Sequence, residues 1–291
     1  MKIAAIGVAG AGQMGAGISQ VAAQAGFDVV MYDVTSDLCQ AGLNRIAGSL
    51  EGAVKRGKLT ERERRELLAR ITTTTSLGQF ERADFVIEAV VEAEEPKVGI
   101  FRKLQQICRP QVIFASNTSS ISITKMGALS GRPDRFVGMH FMNPAPVMKL
   151  VELVRGLATS EETWQQTRAL AERMGKTTLA SQDSPGFIVN RLLLPMINEA
   201  IYALYEGVGQ VTDIDLAMKL GTNHPMGPLE LADLVGLDTC LAILSVMHRV
   251  LGDDKYRPCP LLIKYVDAGY LGRKAGRGFY IYDREGGKAA A

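Results

Sequence analysis

Residues 3–15 read Ile3-Ala4-Ala5-Ile6-Gly7-Val8-Ala9-Gly10-Ala11-Gly12-Gln13-Met14-Gly15, an apolar run passing directly into a Gly-x-Gly-x-x-Gly turn. Ile18, Val21, Ala22 and Ala25 follow at helical spacing, Gly26 ends that pattern, and Phe27 to Asp33 reads as a second strand with an acidic tip. This order is a βαβ unit, which predicts a parallel sheet with right-handed crossovers. Glycine-rich turns alone are common. Here Asp33 lies 21 residues beyond Gly12, where an acid can accept hydrogen bonds from a ribose. The glycines let the backbone approach a pyrophosphate at a helix N-terminus. Gly10, Gly12, Gln13, Met14, Gly15 and Asp33 are therefore candidate dinucleotide contacts. The Asp33 carboxylate would repel a 2′-phosphate and so favours NAD over NADP. Met1 to Gly12 mimics a short secretory signal, but cleavage there would destroy the βαβ unit.

Outward from this unit, Ser36 to Arg56 and Thr60 to Arg70 read as two helices, the second opened by the capping box Thr60-Glu61-Arg62-Glu63. Two helices exceed a minimal crossover, so they are expected to project from the sheet as an antiparallel pair. Further strands are expected at Ile71 to Thr75, Asp84 to Val90, Val112 to Ser116, Phe136 to His140, Lys149 to Val154 and Thr177 to Ala180. A helix is expected from Pro96 to about Arg109. From Ser184 the character turns helical, with apolar periods through Glu206, from Val211 to Leu220 and from Pro228 to Val250. The expected organisation is a Rossmann-like α/β domain over 1–183 and an all-α domain over 184–291, with a short Ala-rich tail.

The chain has 291 residues, about two domains at ~150 residues each. With 33 Lys and Arg against 31 Asp and Glu, the net charge of +2 argues against a nucleic-acid binder that relies on bulk charge. No apolar run approaches the ~18 residues of a membrane span. Cys39, Cys108, Cys240 and Cys259 lie far apart without a Cys-x-x-Cys pair. They read as reduced thiols in a cytoplasmic protein with no metal site.

Three further segments carry possible chemistry. Ala115-Ser116-Asn117-Thr118-Ser119-Ser120 follows a strand and precedes a helix. Its hydroxyls should gather at the carboxyl edge of the sheet, where ligands bind; an ordinary polar helix cap explains the same residues equally well. His140, one of three histidines, ends a strand at that edge, and imidazole is suited to taking a hydroxyl proton near neutral pH. A buried histidine with no chemical part is the competing reading; it suits His248, while His224 could serve a turn or a helix start. Glu152 stands among apolar neighbours on the next strand and needs a partner there, or a place at the sheet's end or edge. Paired with His140, it would fix the imidazole tautomer.

With these pieces together the sequence resembles the short-chain L-3-hydroxyacyl-CoA dehydrogenases, most of all the bacterial 3-hydroxybutyryl-CoA dehydrogenases, from Lys2 to Tyr282. The resemblance is carried by Ala115 to Ser120, His140 to Glu152, Ser184 to Glu199, Asn223 to Glu230 and Leu271 to Tyr280. It implies NAD as cofactor, a 3-hydroxyacyl-CoA substrate, His140 as general base and Glu152 orienting it. It places Ser119 and Asn190 on the reacting oxygens of the substrate, and adds Glu92, Lys97 and Asn143 to the cofactor contacts. Lys55, Arg56 and Lys58 fall where the projecting helices of the family approach the CoA phosphates, though a solvated basic face explains them equally. A homodimer through the C-terminal domain is also implied. Met142 departs from a usual Phe and Ala275 from a usual Ser or Thr. The chain has no room for the hydratase domain of the large multifunctional proteins, so it is expected to act alone. The alternatives are a sugar-acid dehydrogenase, for example of L-gulonate, and a non-catalytic NAD-binding protein. The presence of His140, Glu152 and Asn190 weighs against the second.

Overall fold

The computed structural model describes residues 3–283 and 287–288; Met1, Lys2 and the Ala-rich end of the chain lie outside them. The chain forms two compact units that divide between Ser184 and Pro185.

The first unit runs β1 (Ala5–Ala9), α1 (Gln13–Gln24), β2 (Asp28–Tyr32), α2 (Ser36–Lys55), α3 (Glu61–Ala69), β3 (Ile71–Thr74), β4 (Phe85–Glu88), α4 (Glu94–Ile107), β5 (Ile113–Ser116), α5 (Ile123–Leu129), β6 (Phe136–Phe141), β7 (Leu150–Arg155), α6 (Glu161–Arg173) and β8 (Thr177–Gln182). Its eight strands lie in the order β3-β2-β1-β4-β5-β6-β7-β8. Neighbours are parallel from β3 to β6, as the βαβ reading requires. At β7 that expectation fails: β7 pairs antiparallel with β6, and β8 runs parallel to β7. Only residues 142–149 join β6 to β7, too few for a crossover of about a dozen residues or more. Every residue of β4, β5 and β6 is buried, which is why these strands read as apolar runs rather than alternations.

Both helices expected between β2 and β3 form, and the second begins at the expected capping box. Thr60 and Glu63 form the reciprocal capping box, and α3 buries none of its residues. α2 buries a narrow stripe, Cys39, Gly42, Ile46 and Leu50. α4 starts at Glu94, slightly before Pro96, a position the first turn tolerates because its N–H groups lack helical partners anyway. α6, not among the expected elements, starts at the Ser160 cap, whose hydroxyl accepts the Thr163 N–H, with Glu161 and Glu162 in its first turn.

Arg132 closes the C-terminal end of α4. Its guanidinium donates to the carbonyls of Gln105, Cys108, Arg109 and Val112 at 3.0–3.3 Å and lies 4.3 Å from the Phe114 ring centroid. Replacing Arg132 with Met is expected to reduce unfolding free energy by about 3 kcal/mol, because buried carbonyls lose charged donors. Urea unfolding measures this, and a loss below about 0.5 kcal/mol would mean that the carbonyls find other partners.

The second unit contains α7 (Val189–Tyr205), α8 (Val211–Gly221), α9 (Pro228–Val235), α10 (Leu237–Leu251) and α11 (Pro260–Asp267). Leu194, Ile197, Ile201, Leu229, Leu237, Leu244 and Met247 form its core. The single period expected from Pro228 to Val250 is two helices, divided at Gly236, whose φ of 101° no helix accommodates. The Leu271–Tyr280 motif has a packing reason. Asp233 accepts the N–H groups of Phe279 and Tyr280 and the Tyr282 hydroxyl, and a Cβ on Gly278 would overlap that carboxylate. All four cysteines are buried and unpaired. Burial pushes the thiols of Cys108 and Cys240 up to about 11 and about 12.

Candidate active site

The parallel strands β1, β2, β4, β5 and β6 end at one edge, and the candidate residues of the first unit follow those ends. After β1, Gly10 takes φ 112° with no room for a Cβ beside the Ala89 carbonyl, and Gly15 sits as tightly against the Gly10 carbonyl. Gly12 differs: a Cβ there would meet nothing within 4 Å. It caps α1 with no side-chain bond and no acid in the first turn. The first N–H groups of α1 therefore face an open, uncontested cradle at the positive end of a helix, which fits a pyrophosphate. Met14 packs against the core, so its offering to that cradle is its backbone N–H.

Asp33 holds the turn from the tip of β2: its two carboxylate oxygens accept the N–H groups of Ala11 at 2.8 Å and Val34 at 2.7 Å. Gly42 of α2 lets that helix press on the turn, since a Cβ there would lie 2.6 Å from the Ala11 carbonyl oxygen. Gln13 donates to the Asn143 side chain at 3.0 Å, joining two of the expected cofactor contacts.

After β4 the structure reveals a charge network of which the sequence reading held only part. Lys97 is 1% exposed and donates to Glu88 at 2.7 Å and Glu92 at 3.1 Å. The two carboxylates hold the Lys97 pKa above its usual value against the opposing effect of burial. Burial acts to raise Glu92, yet Lys97 and hydrogen bonds from the serine-rich loop prevail and keep it low. Those bonds come from the Thr118 hydroxyl at 2.6 Å, the Ser119 N–H and hydroxyl at 2.8 and 3.2 Å, and the Ser120 hydroxyl at 3.1 Å. Glu88, the residue not anticipated, is fully buried and also accepts the Ser116 hydroxyl. A carboxylate ending an apolar strand was its only sequence signal.

His140 and Glu152 face each other in the β6–β7 register. Nδ1 of His140 lies 2.7 Å from the Glu152 carboxylate, and both side chains are buried. The carboxylate selects the tautomer with hydrogen on Nδ1, so the basic lone pair is on Nε2. Asn117 braces the strand by accepting the Phe141 N–H at 2.9 Å.

In the second unit Asn190 is half-buried in the first turn of α7. Lys55 and Arg56 end α2 in solvent, Lys55 paired with Glu51 at 2.8 Å, and Lys58 follows them, also exposed. His248 is half-exposed, rather than buried in an apolar helix, and bonds Asp254 at 3.2 Å. His224 lies in the turn before α9, with its N–H on the Met218 carbonyl. Among the described residues no group of three His, Cys, Asp or Glu side chains could hold a metal ion.

A glycine cradle at a helix N-terminus and a buried imidazole–carboxylate pair at the same sheet edge define a nicotinamide-dependent dehydrogenase of the Rossmann type. Residues 5–184 match the family "3-hydroxyacyl-CoA dehydrogenase, NAD binding domain", and residues 186–282 match its C-terminal domain. The chain belongs to the 3-hydroxyacyl-CoA dehydrogenase family. It is 58% identical over 285 residues to a probable 3-hydroxybutyryl-CoA dehydrogenase of Bacillus subtilis, covering 98% of this chain and 99% of that one. A 3-hydroxybutyryl-CoA dehydrogenase of Bradyrhizobium diazoefficiens is 56% identical, covering 95% and 94%. The crystal structure of (S)-3-hydroxybutyryl-CoA dehydrogenase from Ralstonia eutropha superposes with a TM-score of 0.92 at 50% identity, covering 97% of this chain and all of that one.

Proposed function

We propose that this chain interconverts (S)-3-hydroxyacyl-CoA and 3-oxoacyl-CoA thioesters with NAD, and that 3-hydroxybutyryl-CoA is its preferred substrate. The observation that carries the reading is the buried His140–Glu152 pair, a base with its tautomer fixed at the edge that also holds the glycine cradle. When bound, NAD supplies the acceptor for the hydride from C3. His140 Nε2 takes the proton of the 3-hydroxyl, and the Glu152 carboxylate stabilises the imidazolium that results. Ser119, held by Glu92, and Asn190 hydrogen-bond the reacting oxygens. Gly10, Gly12, Gln13, Met14, Gly15 and Asp33 hold the dinucleotide, with Glu92 and Asn143 as further contacts; Lys97, buried against Glu88 and Glu92, serves it through Glu92. Lys55 and Arg56 meet the CoA phosphates.

A homodimer through the second unit belongs to the same proposal, supported by Leu192, Val208 and Leu220, each at least 70% exposed. So does a cytoplasmic setting, supported by four unpaired thiols. No described helix is long and apolar enough to cross a membrane.

The test is the fall in NADH absorbance with acetoacetyl-CoA, set against NAD reduction with L-gulonate. Turnover of the thioester is the expected result. Turnover of L-gulonate alone would replace the substrate class, and NADH binding without turnover of either would make the chain a non-catalytic binder.

A further inference from the structure

Lys176 is a buried cation outside the chemistry described above. It is 8% exposed, and its ammonium donates to the main-chain oxygens of Ala145 at 2.6 Å and Met148 at 2.8 Å. Burial pushes its pKa down with no carboxylate to offset it. A buried ammonium without a counter-charge is unfavourable unless its protons are well used. If packing were the only need, a methionine would serve.

The lysine stands on a rigid post. α6 ends in a Schellman motif: Gly175, at φ 71°, donates to the Glu172 carbonyl, and the Lys176 N–H donates to the Ala171 carbonyl. The next residue, Thr177, donates to the Lys149 carbonyl at 2.8 Å and opens β8. The Lys176 side chain therefore reaches from a fixed backbone to residues 142–149, the segment between the strand of His140 and the strand of Glu152. Elsewhere that segment is tied by Gln13 to Asn143 and packed through Ala145 and Pro146 against Gly17 of α1.

We propose that Lys176 is a positioning residue whose ammonium clamps the 142–149 segment and so sets Asn143 beside the cofactor cradle. This rests on the reading of Asn143 as a dinucleotide contact.

The experiment is a double-mutant cycle read by NADH fluorescence, which reports binding independently of turnover. K176M and N143A are each expected to weaken NADH binding about tenfold, and the double variant no further than about tenfold, because both act through one contact. NADH affinity in folded K176M equal to wild type, or additive losses in the double variant, would overturn the clamp. If K176M does not fold, K176Q carries the same cycle with neutral donors and the same criteria. Failure of the wild-type chain to bind NADH would instead remove the parent reading.

Discussion

His140→Asn is expected to bind NADH as the wild type does while losing roughly 10²–10⁴ of kcat, the usual contribution of a positioned proton acceptor. Asparagine is the right substitution because its amide can still donate to Glu152. Alanine would delete the 2.7 Å bond that this fully buried carboxylate receives and mix stability into the readout. The loss should fall on kcat and kcat/KM together, as for a group acting in the transition state. Single-turnover NADH oxidation with acetoacetyl-CoA isolates the step. A variant that keeps even about a third of wild-type turnover would remove His140 from the proposed mechanism.

Gly12→Ala is expected to lower the melting temperature by no more than a few degrees, as alanine is the poorer N-cap, and to weaken NADH binding about 100-fold, a loss of about 2.7 kcal/mol. The backbone tolerates alanine, since Gly12 has φ −65°, and beyond its chain neighbours the new methyl meets nothing within 4 Å. Its only obstacle is a ligand brought close to the main chain, the part the second glycine plays in such turns. Gly15→Ala is the contrasting control. Its Cβ would overlap the Gly10 carbonyl, so it should lower the melting temperature of the empty protein. Fluorescence titration and thermal unfolding of both variants decide the matter. Undiminished NADH affinity in Gly12→Ala would place the pyrophosphate elsewhere.

The same contrast shows what the sequence could and could not reveal. The βαβ unit was readable because strand period, helix period and glycine spacing are local and agree with one another. His140 and Glu152 were readable as a pair because adjacent strands carry them. The reversal at β7 was encoded in the shortness of residues 142–149, a length signal rather than a composition signal. Glu88 and Lys176 were not readable. Each is a charged residue at a strand end, and its partners, such as Ser116 for Glu88 or Ala145 for Lys176, lie 28 or 31 residues away. The division of α9 from α10 turned on one glycine whose positive φ is imposed by tertiary packing, and no period marks it.

The depth of the four native sulfurs has a practical consequence. With every thiol inside and those of Cys108 and Cys240 poorly ionised, the folded chain is a spectroscopic blank toward maleimide dyes. One cysteine introduced at exposed Arg65 on α3 would be labelled alone. A dye there would follow α3 during ligand addition without any rebuilding of the background.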